Sequence, residues 1–301
     1  MGLLTAIVLG AAAGGGFPQW NCRCPTCRLA WAGDPRARAR TQASLAVSAD
    51  SESWLLINAS PDLRQQLRQS KALQPRAAAR GSPIKAVVLT GAEIDQVTGL
   101  LSLREREPFE ICATAATLAA LADNPMFGVL APELVTRRAM APGAPVTFAG
   151  GLEVELFLVP GKVPLYLEGE DPDTTSETAA NVGVEIAAAG ARIAYVPGAA
   201  AVTPTMMQRL ARADVVFFDG TLFQDDEMIA TGTGTKTGRR MGHMPIDGQD
   251  GSLRALSGLA GRRIYVHINN TNPILIDGSP QRLQVERAGF EVAEDGMEIV
   301  L

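Results

Sequence analysis

The chain has 301 residues, a formal net charge of −5, 47% hydrophobic residues and 20% charged residues. That balance excludes disordered and fibrous classes and leaves apolar mass for a sizeable core. No basic run exceeds two adjacent residues, which argues against nucleic-acid binding through a basic tract. Only two histidines are present, His243 and His267, so a metal enzyme built on four or five imidazoles is excluded and any metal site must draw on carboxylates, thiolates or amides.

In chain order, residues 5–9 read as a buried strand and 10–16 as a glycine turn. No Lys or Arg precedes Arg23, so the positive region of a secretory signal is missing. No apolar run approaches the ~20 residues that span a membrane, and a cytoplasmic protein is expected. Residues 42–48 and 54–58 read as two strands joined near Asp50. Ser60, Pro61 and Asp62 suit a helix start, with the helix over 63–70. A polar loop over 71–83 leads to an apolar strand at 84–89, a loop at 90–96 and a helix at 97–104. A strand at 111–113, a helix at 114–123 and an alternating strand at 152–159 follow. Residues 169–176 form an acidic exposed tip. The pair 182–187 and 192–196 resembles a hairpin, and 206–211 a helix. Strand 215–219 ends in an acid and strand 263–267 in a histidine, with a helix expected over 248–259. A helix at 280–288 and a last strand, 291–292 continued at 298–301, close the chain. Strands that meander and then alternate with helices predict an α/β sandwich with mixed sheets. Its polar clusters fall at strand C-terminal ends.

Cys22, Cys24 and Cys27 form Cys-x-Cys-x-x-Cys. Three thiolates on one turn can fill three corners of a zinc tetrahedron, and either histidine could supply the fourth; the alternative is a disulfide or buried free thiols. Glu93 and Asp95, two apart in Thr90-Gly-Ala-Glu-Ile-Asp-Gln96, can flank a metal or form a solvated acidic turn. His267 is followed by Asn269, Asn270 and Asn272, side chains suited to loops and ligand hydrogen bonds; a lone histidine at a strand end can equally be structural. Gly232-Thr-Gly-Thr-Lys-Thr237 lacks the glycine that a phosphate loop places before its lysine. Cys112 lies in an apolar segment and reads as buried.

The segments AAAGGGFPQWNCRCPTC, LLINASPDLRQQL, VPGKVPLYL, GTKTGRRMGHMPI and VHINNTNPIL together resemble the PqqB family of pyrroloquinoline quinone biosynthesis proteins, over essentially the whole chain. The resemblance implies a metallo-β-lactamase fold, a four-layer αβ/βα sandwich with two mixed β-sheets, as one domain over 1–301. It also implies a structural zinc on Cys22, Cys24, Cys27 and His243, by likeness to a related phosphonate-pathway phosphodiesterase, which leaves His267 for the active site. Hydrolases of this fold carry His-x-His-x-Asp-His where this chain has Gly91, Glu93, Asp95 and Gln96. Their later histidine falls near Gly161 and their bridging aspartate near Gly198. Too few ligands remain for two zinc ions.

What the resemblance leaves is Glu93, Asp95 and His267 around one Fe²⁺, with O₂ as co-substrate. The implied reaction is hydroxylation of the tyrosine ring of a cross-linked Glu–Tyr precursor. Gln96, Asp219, Asn269 and Asn270 are expected to support the ligands or contact substrate. Family members commonly have histidine at the Gln96 position, so Gln96→His is expected to tighten iron binding if that position is a ligand. Two other functions stay open: a non-catalytic carrier of the quinone or its precursor, linked to transport toward the periplasm, and a metal-dependent hydrolase. Expected partners are the Glu–Tyr substrate or the quinone, other proteins of the pathway and a second copy of the chain, without nucleic acid or membrane.

Overall fold

Strands form where short apolar runs stop at glycine, proline or asparagine, and those at the centres of the sheets, such as 44–48, 54–57 and 215–219, are buried on both faces. A computed structural model describes residues 3–76 and 79–301. Met1 and Gly2, ahead of the first expected strand, and Ala77 and Ala78, within the expected 71–83 loop, lie outside the described residues. The strands are β1 (Thr5–Gly10), β2 (Ser44–Ser48), β3 (Trp54–Ile57), β4 (Ile84–Val88), β5 (Phe109–Ala113), β6 (Val135–Ala139), β7 (Val146–Thr147), β8 (Glu153–Pro160), β9 (Glu177–Ala188), β10 (Ala191–Val196), β11 (Val215–Asp219), β12 (Arg262–Val266), β13 (Phe290–Val292) and β14 (Glu298–Val300).

They make two seven-stranded sheets, ordered β14-β1-β2-β3-β4-β5-β6 and β13-β12-β11-β10-β9-β8-β7. In each, one half is antiparallel and the other parallel: β3 to β6 run parallel in the first sheet and β10 to β13 in the second. One core lies between the sheets, with Leu45, Leu55, Val154, Val184, Phe217 and Ile264 among its members. A second backs the second sheet with Met206, Leu210 and Val285, and a third backs the first sheet with Leu63, Leu100 and Leu121. Three apolar layers between four layers of structure are the expected αβ/βα sandwich, and they explain why β3 and β11 are continuous apolar runs rather than alternating ones.

Several elements differ from expectation. The 97–104 helix is a short helix, Ile94–Val97, followed by 3₁₀ turns over Thr98–Leu103. Gly99 explains this: its amide bonds to the Ala59 carbonyl at 2.8 Å, and a β-carbon there would lie 2.1 Å from the Ser60 carbonyl. The backbone itself is the packing surface. The 248–259 helix shrinks to Ser252–Ala255. The two parts of the last strand belong to different sheets, as β13 and β14. The hairpin joining β9 to β10 turns at Ala189 and Gly190, both with positive φ (53° and 88°), the pattern of a two-residue type I′ turn.

The C-terminal ends of β4, β11 and β12 share one rim. β11 and β12 pair in parallel, with Asp219 opposite Val266, so the acid ending one strand and the histidine after the other lie one residue apart across the ladder. Among the described residues, no helix is long and apolar enough to cross a membrane.

Candidate metal centres

Asp219 is the last residue of β11 and is fully buried. His267 follows β12 and takes φ +58°, a left-handed conformation uncommon for a residue with a side chain. That turn breaks the strand's alternation and lays the ring over the rim. His243 arrives from the loop after the 3₁₀ turn Arg239–Met241. Its amide bonds to the Gly238 carbonyl at 2.9 Å, and the Met244 amide bonds to Ala199 at 2.7 Å. Gly198 makes room for the ring, since a β-carbon there would sit 3.3 Å from His243 Cε1.

One ligand atom from each of Asp219, His243 and His267 falls within 4.8 Å of the others. His243 Nδ1 lies 2.7 Å from Asp219 Oδ2, and His267 Nε2 lies 2.9 Å from Asp95 Oδ2. The two rings stack, with centroids 5.3 Å apart and planes at 19°. Thr221 ties the pairs together. Its Oγ1 lies 2.6 Å from Asp219 Oδ1, 3.1 Å from His243 Nδ1 and 2.9 Å from His267 Nδ1. Burial alone would raise the Asp219 carboxyl, but the His243 charge and hydrogen bond outweigh it and hold it below the usual range. Burial likewise opposes ionisation of Asp95 and His267, yet their mutual contact lowers the acid and raises the imidazole. Two imidazoles and one carboxylate, with room beside them, fit one divalent transition ion and match the donor set of mononuclear iron(II) sites.

The two imidazoles open into a cavity of about 440 Å³ that Glu93, Asp95, Gln96, Lys162, His243 and His267 help to line, with Asp219 and Thr221 buried behind them. A larger cleft of about 850 Å³ runs between β1 and the Leu63–Gln69 helix, but no member of either metal-binding cluster lines it. The loop carrying Asp95 is set by Asn58, whose Oδ1 accepts from the Thr90 amide at 2.9 Å.

Glu93 does not join the cluster. Its carboxylate is held by Lys162 Nζ at 2.9 Å and the Leu165 amide at 3.1 Å, so it points toward the loop over the cavity. Gln96 faces the cavity wall and accepts from the Glu93 amide at 3.2 Å. Gly161 and Gly198, at the places of two hydrolase ligands, also line the cavity. Asp219, expected to support the site or to supply it another oxygen, lies in one cluster with His243 and His267. Thr221 carried no pattern in the sequence; its position two residues after a strand-ending acid was the one available signal.

The second cluster is Cys22, Cys24 and Cys27. All four cysteines of the chain are free thiols, and Cys112 is fully buried as expected. The short helix Pro25–Trp31, hidden from sequence inspection inside the cysteine loop, supplies Cys27 and is entered through Cys24. His243 is not the fourth member, because its ring is committed to Asp219 and stacked on His267. Asn270 stands there instead. Its amide nitrogen lies 3.1, 3.7 and 3.3 Å from the sulfurs of Cys22, Cys24 and Cys27. A half-turn of that amide presents an oxygen to a bound cation. Burial pushes the Cys27 thiol up to about 12. Burial also opposes ionisation of Cys24, but the hydrogen bond with Thr26 leads those that bring its thiol below the usual value. Three sulfurs and an amide oxygen suit zinc, and such a cation would ionise the remaining thiols. His243→Ala is therefore expected to leave zinc retention at the thiols unchanged, whereas Asn270→Ala, which removes a direct donor, weakens it by more than the ~10- to 100-fold that loss of an outer partner costs. Competition against a chromogenic chelator reads both.

The asparagines after His267 build the loop rather than face the cavity. Asn269 Nδ2 donates to Thr271 Oγ1 at 2.7 Å, and Asn272 Nδ2 to the Gly220 carbonyl at 2.8 Å. Thr271 in turn bonds to Glu227 Oε1 at 2.5 Å. Burial pushes Glu227 up to about 7 despite the bonds it accepts. The folded state thus holds a proton that the unfolded chain releases near the ordinary glutamate value. Its contribution to stability is full below about 4.5 and is lost as pH rises toward 7. Glu227→Gln should flatten that segment of the stability–pH profile by up to about 3 kcal/mol, as measured by urea unfolding at pH 5 and pH 8.

Comparison with known proteins places this geometry. The beta-lactamase superfamily domain model matches residues 53–268. Coenzyme PQQ synthesis protein B of Rhizobium meliloti is 56% identical over 299 residues, covering 99% of this chain and 98% of that protein. Its counterpart from Methylobacterium nodulans is 54% identical, covering 99% and 100%. The crystal structure of Zn²⁺-bound PqqB from Methylobacterium extorquens superposes with a TM-score of 0.97 at 51% identity, covering 99% of this chain and 100% of that one. A diphosphatase of the PhnP family, at 18% identity and a TM-score of 0.68, shares the fold. The chain therefore belongs to the coenzyme PQQ synthesis protein B family of the beta-lactamase superfamily.

Proposed function

We propose that this protein serves pyrroloquinoline quinone biosynthesis as an iron-dependent hydroxylase acting on the tyrosine ring of a cross-linked Glu–Tyr precursor. Asp219, His243 and His267 would hold iron(II), while Cys22, Cys24, Cys27 and Asn270 would hold the structural zinc. The observation that carries this reading is the two-imidazole, one-carboxylate set whose two rings line a cavity, a donor set poor in the ligands that two hydrolytic zinc ions require. Iron(II), when bound, supplies the one-electron chemistry that dioxygen needs to react with a phenol. Asp95 orients the His267 ring by accepting from Nε2, which turns the Nδ1 lone pair toward Thr221 and Asp219. Ile94, Leu165 and Met241 give the cavity apolar surface for an aromatic ring.

The test is anaerobic loading with iron(II), then dioxygen, a chemical reductant and the cross-linked dipeptide. The expected product is heavier by one or two oxygen atoms. Tight binding of the dipeptide or the quinone without any mass gain would favour the carrier role instead. Zinc-dependent cleavage of a model phosphodiester would favour a hydrolase.

A further inference from the structure

The cavity mouth holds a cluster of ions that the metal chemistry does not use. Glu168 lies in the loop after β8, and its side chain is only 6% exposed. Three cations converge on it: Lys162 Nζ at 2.6 Å, Arg240 Nη1 at 3.3 Å and Lys236 Nζ at 3.5 Å. Lys162, Lys236 and Glu168 line the same cavity as His243 and His267. The fit is imperfect, because Glu168 Oε1 is buried without a well-angled hydrogen bond even though Lys162 is close. A cradle of three cations around one internal carboxylate, beside a reaction centre, has the chemistry of a carboxylate recognition site.

The segment carrying Glu168 is built to leave. Leu165, Tyr166 and Leu167 are 56%, 43% and 52% exposed, so apart from the buried Pro164 little apolar packing retains it. Besides Glu168, polar contacts fasten it: Tyr166 Oη donates to the Ala92 carbonyl at 2.9 Å, and the Leu165 amide donates to Glu93. The first is part-buried and the second exposed, and polar contacts open to solvent are individually weak and readily exchanged for those of a ligand.

We propose that Lys162, Lys236 and Arg240 form the binding site for a carboxylate of the substrate, that Glu168 occupies it as a placeholder in the free protein, and that a polycarboxylate ligand displaces Glu168 and moves residues 163–168. With Glu168 gone, Glu93, through Lys162, is the one acid still paired with any of the three cations among the described residues, so the site accepts a net negative ligand. This inference shares with the proposed function the expectation of a carboxylate-bearing substrate, but it requires neither iron nor oxygen.

The experiment is isothermal titration of the purified, folded protein without added iron, using pyrroloquinoline quinone, a tricarboxylate, as probe. Lys236→Gln and Arg240→Gln, both at partly exposed positions, are expected to raise Kd by about 5- to 20-fold. Glu168→Gln is expected to lower it by about 3- to 10-fold. Amide exchange across 163–168 should quicken when the probe binds to the wild type. A probe that does not bind, a Kd indifferent to Lys236 and Arg240, or weaker binding by Glu168→Gln would overturn the proposal; the last is what a structural strut would give. Altered binding alongside absent hydroxylation would sink the oxygenase reading and leave the cradle standing.

Discussion

Asp219→Ala is expected to lower iron affinity by more than the ~10- to 100-fold that loss of an outer partner costs, and to reduce turnover below roughly 1% of wild type. Asp219 is the acidic donor that faces both rings, and it is fully buried. It also accepts from the Ala199 amide at 2.9 Å and the Thr221 amide at 3.0 Å. Alanine therefore removes the ligand charge and orphans two buried amides, each a cost of about 1–3 kcal/mol. Asp219→Asn separates the two effects in part, because it loses the charge yet keeps an oxygen for one of the two amides. The measurement is iron bound per chain after gel filtration, with unfolding curves as the stability control. An asparagine variant that binds iron as tightly as wild type would show that Asp219 only scaffolds the rim.

Cys27→Ser is expected to release zinc and to lower Tm by roughly 5–15 °C, taking a loss of a few kcal/mol and ~2–4 °C per kcal/mol for a larger domain. Cys27 is fully buried, and burial raises its thiol so far that only a cation would keep it ionised at neutral pH. The cluster also joins distant parts of the chain. Thr26 Oγ1 donates to the Asn270 carbonyl, and the Asn270 side chain spans the three sulfurs, so residues 22–27 and 270 close one unit. Calorimetry with and without chelator provides the check. Chelator should destabilise the wild type by about the amount the substitution does, and leave the variant unmoved. A chelator-insensitive wild type with an intact Tm would mean that the thiols pack without metal.

Much of this architecture was legible in the sequence because its strands are short apolar runs with polar ends. β11 ending in Asp219 and β12 leading to His267 could be placed directly, as could the cysteine cluster. β6 could not: in Val-Thr-Arg-Arg-Ala only Val135 is buried, as suits an edge strand with charged, exposed positions. The helix Pro25–Trp31 is not legible either, because it is only seven residues long and opens inside the cysteine cluster. The assignment of His243 failed for a different reason. The two histidines lie 24 residues apart in sequence, and nothing in that interval reports that their rings stack. Asn270 was visible as part of an asparagine-rich segment, but a one-residue change in direction decides whether an amide meets thiols or the cavity. Thr221 has a hydroxyl too common to stand out until its three partners are seen around it.

The parallel register that sets Asp219 opposite Val266 also dictates where this chain tolerates insertion. One residue added within β11 or β12 turns the terminal side chain to the other face of the sheet and takes apart the Asp219, His243 and His267 cluster without substituting any of its members. The junction of Glu170 with Asp171, where both residues are exposed, carries no such constraint. A reporter or affinity peptide spliced there should leave the cysteine cluster and the Asp219, His243 and His267 cluster intact, making that tip the natural handle for engineering the protein.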